Sequence, residues 1–190
     1  ARNELLTAVK LGSTLPVAHH SLASALYYSK DLEGAIRHYR LALRWNEHAR
    51  IHEPPAEIDA GKTHNMLALT LNEVGREGDA IKQYEAGIRL HPGAYELYSN
   101  FAGLLLDQGH VDKALEMYHH ALSLEPTSAA LANNVGFVYE RHGRLHEAMA
   151  SYQHALGMMP GHAQIRTNVE NMRKRNTKAE AKKKKAEGKS

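Results

Sequence analysis

The stretch HVDKALEMYHHALSLEP (110–126) lies over RLHEAMASYQHALGMMP (144–160), and EGDAIKQYEAGIRLHP (77–92) lies over both at the same constant offset. The superposition generates columns. Ala35, Ala80, Ala114 and Ala148 form one, and Tyr39, Tyr84, Tyr118 and Tyr152 follow four residues later. Three residues further on stand Ala42, Gly87, Ala121 and Ala155. Upstream, the small residues Ala23, Ala68, Ala102 and Gly136 each follow an apolar one, Leu22, Leu67, Phe101 or Val135. Spacings of three and four describe apolar faces of helices. Gly75, Gly109 and Gly143 separate two helices per unit, and Pro92, Pro126 and Pro160 close three units, since proline cannot continue a helix.

A period of about 34 residues spanning two helices, with small and aromatic columns and a closing proline, resembles the tetratricopeptide repeat (TPR) family. The resemblance implies an all-α fold, a right-handed α-α superhelix (TPR solenoid) of antiparallel helix pairs. Complete repeats are expected at 16–49, 61–94, 95–128 and 129–162. Ala1, Leu5, Ala8 and Val9 fall one period before Ala35, Tyr39, Ala42 and Leu43, so 1–15 reads as the second helix of a truncated preceding repeat. Ile165, Val169 and Met172 lie on one side of a further helix, while Glu170 takes a column held elsewhere by small residues. A capping helix over 163–175 and a disordered basic tail over 176–190 are expected.

One interval breaks the period. From Ala35 to Ala80 the column advances by 45, so WNEHARIHEPPAEIDAGKTHN (45–65) carries an excess of 11. The columns resume at Leu67 and Ala68, which excludes a separate domain. The excess reads as an insertion over 50–60 that extends the inter-repeat turn, with the helices ending near Arg50 and beginning near Ala56 each lengthened.

Composition narrows the function. The 190 residues are 43% hydrophobic and 24% charged, as in soluble globular proteins, and no apolar run is long enough to span a membrane. The absence of cysteine excludes disulfides and thiol chemistry. The fourteen histidines show no three-ligand metal spacing: His142 and His146 straddle Gly143, and HEAMA (146–150) lacks a second histidine. There is no phosphate-binding glycine loop and no activated nucleophile. Trp45 shares its column with apolar Leu90, Leu124 and Met158, so it reads as core. No catalytic, cofactor or metal residue is expected, and neither is an enzyme.

The informative positions are those the columns leave free on each first helix, which in the TPR family line the concave, partner-binding groove. Here they include His20, Ser24, Tyr28, Asn65, Met66, Asn72, Glu73, Asn100, Asp107, Asn134, Phe137 and Arg141. Asn100 and Asn134, one period apart, resemble the asparagine ladder of O-linked GlcNAc transferase TPRs, in which an amide both donates to and accepts from a peptide backbone. The ladder departs at Met66 and Ser21. TPRs that clamp chaperone C-termini use lysine and arginine where this chain has His20, Ser24, Met66, Glu96 and Asn100, so that clamp is absent and a segment with few acidic residues is favoured.

Charge is divided along the chain. Residues 173–190 hold nine Lys/Arg and two Glu (+7), leaving fifteen Lys/Arg and nineteen Asp/Glu (−4) in the rest. Arg173, Lys174, Arg175, Lys182, Lys183, Lys184 and Lys185 carry the basic end. It suits solubility, a nuclear import signal, or weak nonspecific contact with RNA or an acidic surface; without aromatic residues, base readout is not expected. The function expected is a non-catalytic scaffold or adaptor that binds a protein or peptide segment, or is a subunit of a larger assembly. The alternatives are the substrate-recognition region of a larger, glycosyltransferase-like enzyme and a ribonucleoprotein subunit anchored by the tail. A cytoplasmic or nuclear location is favoured, with an organelle left open.

Overall fold

Prolines and caps set where the helices stop, and the columns set what they bury. The computed structural model describes residues 16–52 and 58–187, and the described residues are helical apart from turns and short connections. In chain order the helices are α1 (Pro16–Tyr28), α2 (Leu32–His52), α3 (Ala60–Glu73), α4 (Glu77–Leu90), α5 (Tyr95–Asp107), α6 (Val111–Leu124), α7 (Ala129–Arg141), α8 (Leu145–Met158) and α9 (Ala163–Glu187). The starts of α4, α6 and α8, at Glu77, Val111 and Leu145, repeat with the period of the columns. The expected helix over 1–15 lies outside the described residues.

The chain divides into two compact units, one through Leu104 and one from Leu105. In the first, Leu22, Leu26, Tyr39, Leu67, Leu71, Tyr84, Leu97 and Leu104 form one buried cluster. In the second, Ala148, Tyr152, Val169 and Met172 form one cluster, and Ala129, Ala132, Ala155 and Ile165 another. The column alanines Ala35, Ala80, Ala114 and Ala148 are fully buried, as are Ala23, Ala68 and Ala102. Small residues there let helix backbones approach, and the tyrosine and leucine columns fill the remaining volume.

The tyrosine column shows how local sequence decides a hydroxyl's fate. Tyr39 shares a 3.1 Å hydrogen bond with Ser24, and Tyr152 donates to Glu140 at 2.8 Å. In the second pair, apolar Leu69 stands where Ser24 stands in the first, and the buried Tyr84 hydroxyl has no hydrogen-bond partner among the described residues. Tyr84→Phe is therefore expected to raise stability by about 1 kcal/mol, and Tyr152→Phe to lower it by about 1.5–3 kcal/mol. Urea unfolding of both variants checks this; equal signs would refute the assignment.

The interrupted interval differs from expectation. α2 has 21 residues and α4 has 14, so the extension falls on α2, about 10 Å of added helix. Proline is the reason: Pro92 stands two residues after Leu90, whereas Glu47 stands two residues after Trp45 and lets α2 continue. α3 is not lengthened. It starts at Ala60, where Asp59 caps it by accepting the Lys62 N–H at 2.9 Å. Just before it, the Ile58 N–H donates to the buried side chain of Asn46 at 3.3 Å. The prolines, 54 and 55, lie outside the described residues.

The C-terminal end is also different. The expected boundary at 175 is absent, and α9 continues as one helix to Glu187. Ala, Lys and Glu are strong helix formers, so AEAKKKKAE propagates a helix already nucleated on the second unit. At the first turn between helices, Lys30 takes φ +66°, where the later turns have Gly75, Gly109 and Gly143 at φ +78°, +78° and +73°. Its ammonium lies 2.6 Å from Glu73.

Candidate functional site

In the first unit, several of the positions left free by the columns converge. His20, Ser24 and Tyr28 from α1 and Asn65 and Met66 from α3 line one cleft of about 360 Å³. Met66 and buried Leu97 give it apolar wall, and Tyr28 is 77% exposed. His20 is tied down by its Nδ1, 2.9 Å from Thr63 Oγ1. Ser24 also donates to the His20 carbonyl at 3.1 Å, as serine does inside a helix. Glu73 stands outside the cleft, where its hydrogen bond to Lys30 holds its carboxyl below the usual range. Asn72 is half-buried on the same helix.

Asn100 does not present a free amide. Its Nδ2 donates to Asn65 Oδ1 at 2.9 Å, and two periods further on Asn168 Nδ2 donates to Asn133 Oδ1 at 2.8 Å. In each pair the partners are separated by one period and one further position, so an amide on one first helix bridges to the neighbouring column of the preceding one. Asn168 was not among the residues singled out from sequence, although its place one period after Asn134 marks it. The bridge leaves Asn65 Nδ2 and Asn100 Oδ1 available, one donor and one acceptor.

In the second unit, Asp107, Phe137 and Arg141 come together with Leu106 and His142 around a cleft of about 310 Å³. Phe137 is 45% exposed, and the Arg141 guanidinium lies 5.6 Å from its ring centroid. Asn134 is half-buried on α7. The basic residues divide. Arg173 and Lys174 are exposed on α9, Arg175 pairs with Glu140, and Lys182, Lys183, Lys184 and Lys185 fall in the last turns of the helix.

Sequence reading missed the contribution of the connections. Asp59, Lys62 and His91 also line the first cleft. The His91 ring lies against Gly61, where an added Cβ would meet it at 2.6 Å, and its Nε2 is 3.7 Å from Asp59 Oδ1. Lys62 Nζ is 3.7 Å from Asp59 Oδ2. The aspartate immediately before a resuming helical pattern was the available signal, as a capping residue. Among the described residues, no three His, Asp or Glu side chains are placed to hold a metal ion, and no helix is long and apolar enough to cross a membrane.

Buried and half-buried imidazoles are a second property of this unit. His19 and His38 share one Nδ1–Nδ1 hydrogen bond at 2.9 Å, with rings stacked 5.2 Å apart. Burial lowers the pKa of both, and His19 and Arg37 lower that of His38 further against the opposing effect of Asp31. Burial also lowers His20 and His64. The unfolded chain therefore binds more protons than the folded one between the folded values and about 6.5. The stabilisation is complete above that unfolded value and is lost as pH falls through the folded values. The urea midpoint is expected to drop between about pH 7.5 and 5.5, less so in His19→Gln/His38→Gln. A pH-independent wild-type midpoint would contradict this.

Helix pairs packed through small–aromatic columns, with clefts on their first-helix faces, define an α-helical repeat protein. Residues 100–163 match the family model described as Tetratricopeptide repeat. No curated protein matches the chain in sequence. Among solved structures, the crystal structure of MamA protein is similar at TM-score 0.70 and 20% identity, covering 90% of this chain and 88% of that one. MamA 41-end from Desulfovibrio magneticus RS-1 gives TM-score 0.68 and 15% identity, with 85% of each chain covered. A monomeric IFIT1 mutant with m7Gppp-AAAA gives 0.64 and 18%, covering 93% of this chain but 42% of that one. Residues 100–163 thus resemble the tetratricopeptide repeat family in sequence, and the chain as a whole shares its fold with these structures.

Proposed function

We propose that this chain is a non-catalytic scaffold that holds an extended segment of a partner protein against its first-helix faces. The observation that carries the reading is the 360 Å³ cleft: five of the residues lining it are positions that no packing column uses. Such a surface keeps amide donors and acceptors for a backbone beside apolar wall and an exposed aromatic, as peptide-recognition sites require. Phe137 provides a corresponding exposed aromatic in the second unit.

The test is affinity capture with mass spectrometry on wild type, on Tyr28→Ala/Phe137→Ala, and on a chain ending at Lys178. These aromatics are better probes than Asn100, whose removal would strand Asn65 Oδ1. Groove binding predicts that the aromatic variant loses partners which the shortened chain keeps. Unchanged capture by the aromatic variant would defeat the proposal. The helical basic end favours a second, independent contact with a polyanion such as RNA; partners lost only on shortening, and released steeply by salt, would identify it.

A further inference from the structure

We infer that the first-unit cleft receives a basic side chain of the partner segment, lysine or arginine, with its stem on Met66 and Leu97 and its cationic head toward Glu96, Tyr28 and His20. The inference rests on the groove reading above and adds the chemistry of one residue of the bound segment.

Hydrogen bonding fixes the polarity of the wall. The Thr63 hydroxyl donates to the Asp59 carbonyl at 3.0 Å, so its proton is committed. The 2.9 Å contact with His20 Nδ1 must then be donated by the imidazole. Nε2 of the neutral ring is left as a lone-pair acceptor, and burial favours that neutral form.

Charge points the same way. The charged groups lining the cleft are Asp59, Lys62 and Glu96, with His91 titratable at its edge. Asp59 is already engaged by the Lys62 N–H, by Lys62 Nζ at 3.7 Å and by His91 Nε2 at 3.7 Å. Glu96 has no ion-pair partner among the described residues, so one carboxylate stands uncompensated on the wall. Tyr28, 77% exposed, attracts cations through its ring quadrupole. An acidic side chain would be repelled here. A purely apolar one would desolvate the Glu96 carboxylate and His20 Nε2 without supplying donors. A lysine or arginine satisfies both and lays its methylenes on the apolar wall.

The test is an NMR titration of the full chain with n-butylguanidinium, its neutral isostere n-butylurea, and n-butyrate, followed on the Met66 and Leu97 methyl signals. n-Butylguanidinium is expected to shift them saturably, with the urea and the carboxylate at least about fivefold weaker. Glu96→Gln, an exposed first-turn position of α5, should weaken the guanidinium about five- to tenfold, and Tyr28→Leu about two- to fivefold. Equal binding of guanidinium and urea, or no effect of Glu96→Gln, would overturn the inference. The two readings fail separately. Capture lost in Tyr28→Ala/Phe137→Ala without selective guanidinium binding leaves the groove standing and removes the basic side chain. Selective guanidinium binding with unchanged capture supports the cleft chemistry and removes the extended-segment reading.

Discussion

Ending the chain at Asn171 is expected to lower stability by about 3–5 kcal/mol, whereas ending it at Lys178 should change stability by about 0.5 kcal/mol or less. The stretch between the two ends contains Met172 and Arg175. Met172 is 0% exposed and packs with Ala148, Tyr152 and Val169, and loss of a buried methionine side chain costs about 2–5 kcal/mol. Arg175 pairs with Glu140, which accepts the Tyr152 hydroxyl through its other oxygen. Removing the guanidinium leaves a half-buried carboxylate with less compensation. Urea midpoints of the two shortened chains give the comparison. If they coincide, α9 is not a stabilising lid on the second unit and the cluster around Met172 is misassigned.

That expectation shows where sequence was a sufficient guide and where it was not. The seam Ile165, Val169, Met172 was legible because burial imposes a three–four spacing, and all three are at most 3% exposed. The helix beyond it was not legible, because a lysine-rich segment lacks apolar periodicity whether it is helical or not. Arg175 looked like one cation among many, and only the fold brings it to Glu140 on a different helix. The same limit explains the interrupted interval. Its excess over the period was countable, but its placement on α2 depended on Glu47 replacing a stop signal and on Asp59 supplying a start signal.

The candidate site was readable by subtraction. Columns consumed by packing left His20, Ser24, Tyr28, Asn65 and Met66, and these do share a cleft. Subtraction says nothing about how the remaining side chains engage one another. The Asn65–Asn100 bridge takes one N–H of an amide that looked free, and His91 enters from a connection because Gly61 leaves room for its ring.

The most severe single substitution expected in the second unit is Gly136→Val, at about 3 kcal/mol of lost stability. Alanine fills this column in the other repeats, so a methyl group would seem harmless by sequence alone. The geometry says otherwise. Tyr152 reaches Glu140, one turn beyond Gly136 on the same helix, and its ring lies against the α7 backbone on the way. A Cβ at 136 would stand 2.7 Å from Tyr152 Cδ1 and 2.8 Å from Cε1. The ring is 1% exposed and held at its hydroxyl, so it has little room to retreat. Gly136→Ala should therefore destabilise by about 1–2 kcal/mol despite a helix-propensity gain of about 1 kcal/mol. Gly78→Ala on α4, where an added Cβ meets nothing within 4 Å, isolates that gain and should stabilise by about 0.5–1 kcal/mol. In a Tyr152→Leu background the ring atoms that clash are gone, and the penalty at 136 should shrink by more than half. A double-mutant cycle in urea measures this coupling. Equal penalties for Gly136→Ala in both backgrounds would place the strain elsewhere and leave the glycine in this column unexplained by Tyr152.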